Sequence, residues 1–163
     1  MGERNILLFR SWDVELIQDL TAEVWDTVTD DSAGDDPYEF VPDVENDDCR
    51  YYISVENDEI VGMWMTHRRN HVLWQMHVSI MPKFHRKNFA IPHSKLALPF
   101  AFEDTGAETI MAEAPGWNPR ITRHAIEAGF ALTGSIPQAY SKNGILYPIN
   151  ILTAHREHHV TTG

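Results

Sequence analysis

The stretch Val78-Ser79-Ile80-Met81-Pro82-Lys83-Phe84-His85-Arg86-Lys87-Asn88-Phe89-Ala90 sets three cations, Lys83, Arg86 and Lys87, close together in a chain of net charge −11. A local basic cluster against an acidic background is where an anionic ligand would be held. Helical spacing begins at Asn88, directly after that cluster. Asn88 itself enters the left-handed backbone region more readily than other non-glycine residues, which suits it to a tight loop. Two histidines, His77 and His124, have side chains whose ordinary titration near neutrality suits proton transfer, and Glu113 offers a carboxylate. His155-x-x-His158 has helical spacing for two metal ligands but little to preorganise it, so no metal is expected.

Those residues need elements to position them. Ile6–Phe9 reads as a strand, Ser11 as an N-cap, and Leu16, Ile17, Leu20, Val24, Trp25 and Val28 as the buried face of a helix. Between Asp30 and Asp48 lie nine acidic residues and no basic one, punctuated by Gly34, Pro37 and Pro42, which is an acidic loop. Arg50–Val55 and Ile60–Thr66 are strands around a four-residue connection, Glu56-Asn57-Asp58-Glu59, and Val72–Met81 is a third strand of the meander. Asn88–Glu103 is a helix that Pro99 is expected to kink or shorten. Thr109–Ala114 reads as a buried strand, Asn118–Ala128 as a helix stopped by Gly129, and Phe130–Ile136 with Leu146–Leu152 as a hairpin turning at Asn143-Gly144.

The 163 residues, 18.7 kDa, suit one domain. Thirteen Lys and Arg against twenty-four Asp and Glu repel polyanions, so neither nucleic acid nor an anionic membrane surface is an expected partner. Cys49 is the single cysteine, which leaves no internal disulfide and points to a reducing interior. The few apolar residues up to Phe9 fall short of a signal or a membrane span, so a cytoplasmic protein is expected. Residues 1–154 are read as the domain, with the acidic loop at 30–48, and 155–163 as a flexible tail.

The basic stretch, together with Thr109-Ile110-Met111-Ala112-Glu113-Ala114-Pro115, Asn118 and Ala128-Gly129-Phe130-Ala131-Leu132-Thr133-Gly134, resembles the GNAT superfamily of N-acetyltransferases. The resemblance implies a mixed α/β fold: a mostly antiparallel sheet with one splayed parallel strand pair, Val72–Met81 beside Thr109–Ala114, and helices on both faces. It further implies acetyl-CoA held by Ile80, Lys83, His85, Arg86, Lys87, Asn88, Phe89, Ala90 and Asn118, and a small-molecule or protein amine as acceptor. Asn88 stands where the family has its first Gly, His85 where it has Arg or Gln, and Ala125 where it commonly has a Tyr acid. The usual carboxylate base is replaced by Gln75, Met76 and His77, which leaves His77 as base, with His124 and Glu113 as further catalytic candidates. These departures also resemble small GNAT-like proteins of tailed bacteriophages, which implies the alternative of a catalytically degenerate structural protein with virion partners.

Overall fold

The computed structural model describes residues 3–161. β1 (Ile6–Ser11) runs into α1 (Val14–Val28), and the cap of that helix is Asp13 rather than Ser11. The Asp13 carboxylate accepts the Leu16 amide at 3.0 Å, whereas Ser11 Oγ accepts the Asp13 amide at 3.2 Å one step upstream. β2 (Cys49–Glu56) and β3 (Glu59–Arg68) are joined by Asn57 and Asp58 alone, both at positive φ. The connection is therefore two residues instead of four, because a mirror-image turn follows the twist of its strands. β4 (Leu73–Ile80) completes the meander.

α2 (Ala90–Thr105) continues past Pro99 without being shortened and ends at Gly106, φ 71°. Pro99 removes the bond to the carbonyl of Lys95, an exposed residue where water can serve it, while Ala97, Leu98, Ala101 and Phe102 bury the opposite side. Burial at about 1.5–3 kcal/mol per large side chain outweighs the roughly 3 kcal/mol cost of the proline. β5 (Thr109–Pro115), α3 (Pro119–Ala128), β6 (Ala131–Lys142) and β7 (Ile145–His155) follow, the last two turning at Asn143-Gly144 with positive φ at both.

The seven strands form one sheet in the order β1-β2-β3-β4-β5-β7-β6, antiparallel throughout except for the parallel pair β4–β5. Parallel neighbours need a crossover, and α2 supplies it. Strand alternation divides the core. On one face Tyr51, Ile53, Val61 and Met63 pack against Ile17, Leu20 and Val24 of α1. On the other, Tyr52, Trp64, Trp74, Met76, Ile110 and Leu152 pack against α2 and Ala125 of α3. This is the mixed sheet with helices on both faces that the sequence implies.

The stretch after His155, set apart above as a tail, packs back on the domain as far as it is described. Arg156 Nη1 donates to the carbonyls of Phe102 at 2.6 Å and Ala107 at 3.4 Å, and His159 stacks on the Phe102 ring at 5.7 Å. Thr162 and Gly163 lie outside the described residues. Arg156→Ala should cost about 1–3 kcal/mol, because it unmakes charge-assisted bonds to half-buried carbonyls. A lowered urea midpoint at unchanged slope measures this, and an unchanged midpoint contradicts it.

Candidate active site

β4 and β5 touch only over Leu73–Gln75 and Thr109–Met111. Beyond that point β4 stays with β3 out to Ile80 and β5 stays with β7 out to Pro115. Each pair follows its own twist, so the two strands diverge and leave a gap in the sheet. The gap is a cavity of about 250 Å³ lined from both faces. Ser94 of α2 with Ile121, His124 and Ala125 of α3 line one side; Thr27 and Val28 of α1, Met65, His77, Glu113, Trp117 and Tyr140 line the other.

His77 pairs in register with Met65 and stacks on His67 at 5.3 Å between ring centroids. His77 keeps exposed surface while also lining the cavity. Loss of hydration, with the charge of His67 adding to it, pushes the imidazolium down to about 4. Glu113 lies on the same face of β5. Its negative charge opposes the dehydration of His67 and helps burial to raise the phenol of Tyr140.

The β6–β7 tip closes this side. Lys142 Nζ donates to the carbonyls of Asp26 at 2.7 Å and Thr29 at 2.8 Å, at the end of α1, and lies 5.6 Å over Trp117. Asp31 in turn accepts from Ser141 Oγ and from the amides of Asn143 and Gly144, bonds that hold its carboxyl below the usual range. Trp117 is thereby boxed edge-on by Tyr140 and Tyr147 at 5.2 and 5.7 Å.

Across the sheet His124 is half-buried, not an exposed helix position, and burial lowers its pKa. Its Nε2 lies 2.8 Å from Ser94 Oγ, which accepts from Trp64 Nε1 at 3.3 Å. Trp64 occupies one lone pair of Ser94 Oγ, and the tautomer of His124 sets which partner donates in the Ser94–His124 contact. Ala125 sits beside this pair in the cavity wall, so the position where the resemblance implies a tyrosine is occupied by a methyl group with a Ser–His pair next to it.

The basic loop follows β4. Arg86 and Asn88 both take positive φ, 63° and 57°, and the first-turn amides of Ala90 and Ile91 have no carbonyl within the helix to bond. Arg86 and Lys87 are exposed, and among the described residues neither enters an ion pair. Lys83 is different: it pairs with Glu59 at the β2–β3 turn. His85 folds back, its Nε2 at 2.7 Å from the carbonyl of Ile80, so both residues brace the loop. Phe89 packs on Phe84, and Asn118 caps α3 by accepting the Arg120 amide at 3.1 Å. The structure thus gathers His77 and Glu113 on one side of the cavity and His124 on the other, with Lys83 paired to Glu59 and Asn118 capping α3. Ser94 and Tyr140 are additions; neither lies in a local pattern that marks it in the sequence.

No family model matches the chain, and no curated protein sequence matches it. Its fold is nevertheless that of solved N-acetyltransferases. A point mutant of spermidine N-acetyltransferase SpeG from Vibrio cholerae superposes with a TM-score of 0.77 at 16% identity, covering 96% of each chain. A chimeric form of the same enzyme gives 0.76 at 17% identity over 94% of this chain and 97% of that one. A protein assigned as a phosphinothricin N-acetyltransferase gives 0.75 at 17%, over 93% and 99%. These likenesses give the GNAT fold; the phage and virion reading gains no support from them.

The His77 pKa predicts a sign. Because the folded value lies below the ordinary 6.5, the unfolded chain binds the proton more readily between the two. The associated stability is complete above about pH 6.5 and is lost as pH falls toward 4. Replacing His77 with Gln should flatten that acid-side fall in urea midpoints. An equally steep fall in the variant would assign it to other groups.

Proposed function

We propose that this protein is an N-acetyltransferase that takes its acetyl group from acetyl-CoA and transfers it to a primary amine. The observation that carries the reading is the cavity through the splayed sheet, with a loop of free amides and unpaired cations on the α2 side of β4 and a carboxylate with a neutral imidazole on the α1 side. The loop fits a pyrophosphate: Arg86, Lys87 and the amides at the head of α2 supply charge and donors. Acetyl-CoA supplies an activated thioester carbonyl, so a C–N bond replaces a C–S bond and one proton passes overall from nitrogen to sulfur.

Glu113 attracts the ammonium form of the acceptor. His77, neutral at physiological pH, accepts a hydrogen bond from the amine or from the water that carries its proton away. Its low pKa makes it an orienting acceptor rather than a strong base. On the opposite side, with its proton on Nε2, His124 donates to Ser94 Oγ, which leaves the Ser94 O–H free to give its proton toward the place beside Ala125 and be resupplied from the imidazole. Phe40, Met63, Met65, Trp117 and Tyr140 make the remaining wall apolar and aromatic, and Glu113 is the single carboxylate of the lining. That lining suits an amine with one positive charge on an apolar body. A polyamine such as the spermidine of the neighbouring enzymes would leave further ammonium groups without partners.

Calorimetric titration with acetyl-CoA tests the reading. Wild-type protein should bind, and Ala90→Asp, which sets a carboxylate at the helix head, should weaken binding by about tenfold or more. Absence of heat with the wild type leaves the fold without the activity. In a panel of amines, arylalkyl monoamines should outperform spermidine. Glu113→Gln should raise the amine KM about tenfold with little change in kcat, and Ser94→Ala should lower kcat by about a hundredfold. Equal kcat in the Ser94 variant removes it from the chemistry.

A further inference from the structure

Behind the basic loop lies a chain of polar groups that the acetyl-transfer reading leaves unused. Ser54 and Glu56 of β2 are buried against His93 of α2, with at most 5% of any of them exposed. The Ser54 hydroxyl meets His93 Nδ1 at 2.7 Å, and His93 Nε2 faces Glu56 Oε2 at 3.5 Å. Burial holds His93 below its usual pKa against the pull of Glu56, and the neutral ring satisfies both partners with its proton on Nε2. The other carboxylate oxygen of Glu56 faces Arg4 Nε at 3.5 Å. Arg4 then reaches the loop itself: its Nη1 donates to the carbonyl of Asn88 at 2.9 Å, and its guanidinium lies 4.9 Å over the Phe89 ring.

We infer that Arg4, held by Glu56, is a positioning residue for the coenzyme loop, and that it fixes the left-handed turn at Asn88 where a glycine would be expected. The inference rests on the acetyl-CoA reading above. A non-glycine residue at φ 57° is strained and needs its surroundings to hold it there. The Arg4 bond fixes the direction of the Asn88 carbonyl, and the guanidinium on Phe89 fixes the next residue, so the amides at the head of α2 are set before any ligand arrives. Preorganised donors bind an anion without first having to be ordered. Arg4 has a second effect. Glu56 is a buried carboxylate near a site meant for an anion, and Arg4 together with the His93 N–H offsets it.

The test compares two ligands, acetyl-CoA and acetyl-pantetheine, which lacks the pyrophosphate and adenosine. Arg4→Ala and Glu56→Gln should each raise the Kd of acetyl-CoA by about tenfold, and the double variant should be little worse than either, as expected for residues acting in series. Binding of acetyl-pantetheine should be unchanged, and Arg4→Lys, which keeps the charge but not the fork, should recover only part of the loss. Without ligand, amide exchange at Asn88–Ile91 should quicken in Arg4→Ala while exchange in β5 and β7 stays the same. Acetyl-CoA binding at wild-type strength in Arg4→Ala overturns the inference alone. Equal weakening for both ligands also overturns it, since that reports a general loss of structure. Wild-type protein that binds neither ligand overturns the acetyl-CoA reading, and the inference falls with it.

Discussion

Three residue pairs hold β4 to β5, Leu73–Gln75 with Thr109–Met111, and the rest of the molecule is arranged around the place where that pairing stops. Parallel strands cannot be joined by a short turn, so α2 must cross over the sheet between them. That crossover carries the head of α2 to the end of β4, which is where the basic loop has to turn. The same short pairing frees β4 and β5 to follow β3 and β7, and the gap they leave opens the sheet from one face to the other. A ladder continued to Ile80 and Pro115 would close the cavity and separate His77 and Glu113 from Ser94 and His124.

A gap through the middle of a sheet exposes polar backbone and loses packing, so its walls must be held from outside. On one side the β6–β7 tip is bound to the end of α1 through Lys142 and Asp31. On the other, Trp64 donates to the hydroxyl of Ser94, and the described end of the chain packs on α2 through Arg156 and His159. These ties join segments distant in sequence. They keep open a space that the hydrophobic effect alone would tend to fill.

The elements were legible in the sequence because each carries a local signal: periodicity for α1 and α3, alternation for the meander, Asn-Gly for the last hairpin. Departures came where a tertiary term outweighed the local one. Pro99 reads as a break, yet the buried face of α2 continues through it. Ser11 reads as a cap, yet Asp13 is better placed to accept the Leu16 amide. The site was legible only in part, for the same reason. His77 and Glu113 lie on recognisable strands flanking the gap. Ser94 and Tyr140 lie in a helix and a long strand with nothing in their neighbours to mark them. Lys83 belongs by sequence to the basic cluster, but Glu59, twenty-four residues earlier, takes its charge.

Asn88 and Ala125 are both departures from the motif that the sequence resembles, but their surroundings differ. At Asn88 the backbone keeps the glycine-like conformation, and an arginine from before β1 supplies the restraint that a bulkier residue requires. At Ala125 the side chain is a methyl group, and a hydroxyl and an imidazole from two different helices meet beside it. In the first case the backbone conformation is retained while the residue changes; in the second a polar pair from neighbouring positions stands beside the smaller side chain. A sequence pattern registers both as mismatches because it records residue types at fixed spacing, whereas an anion responds to the direction of amides and a leaving thiolate to the nearest available proton.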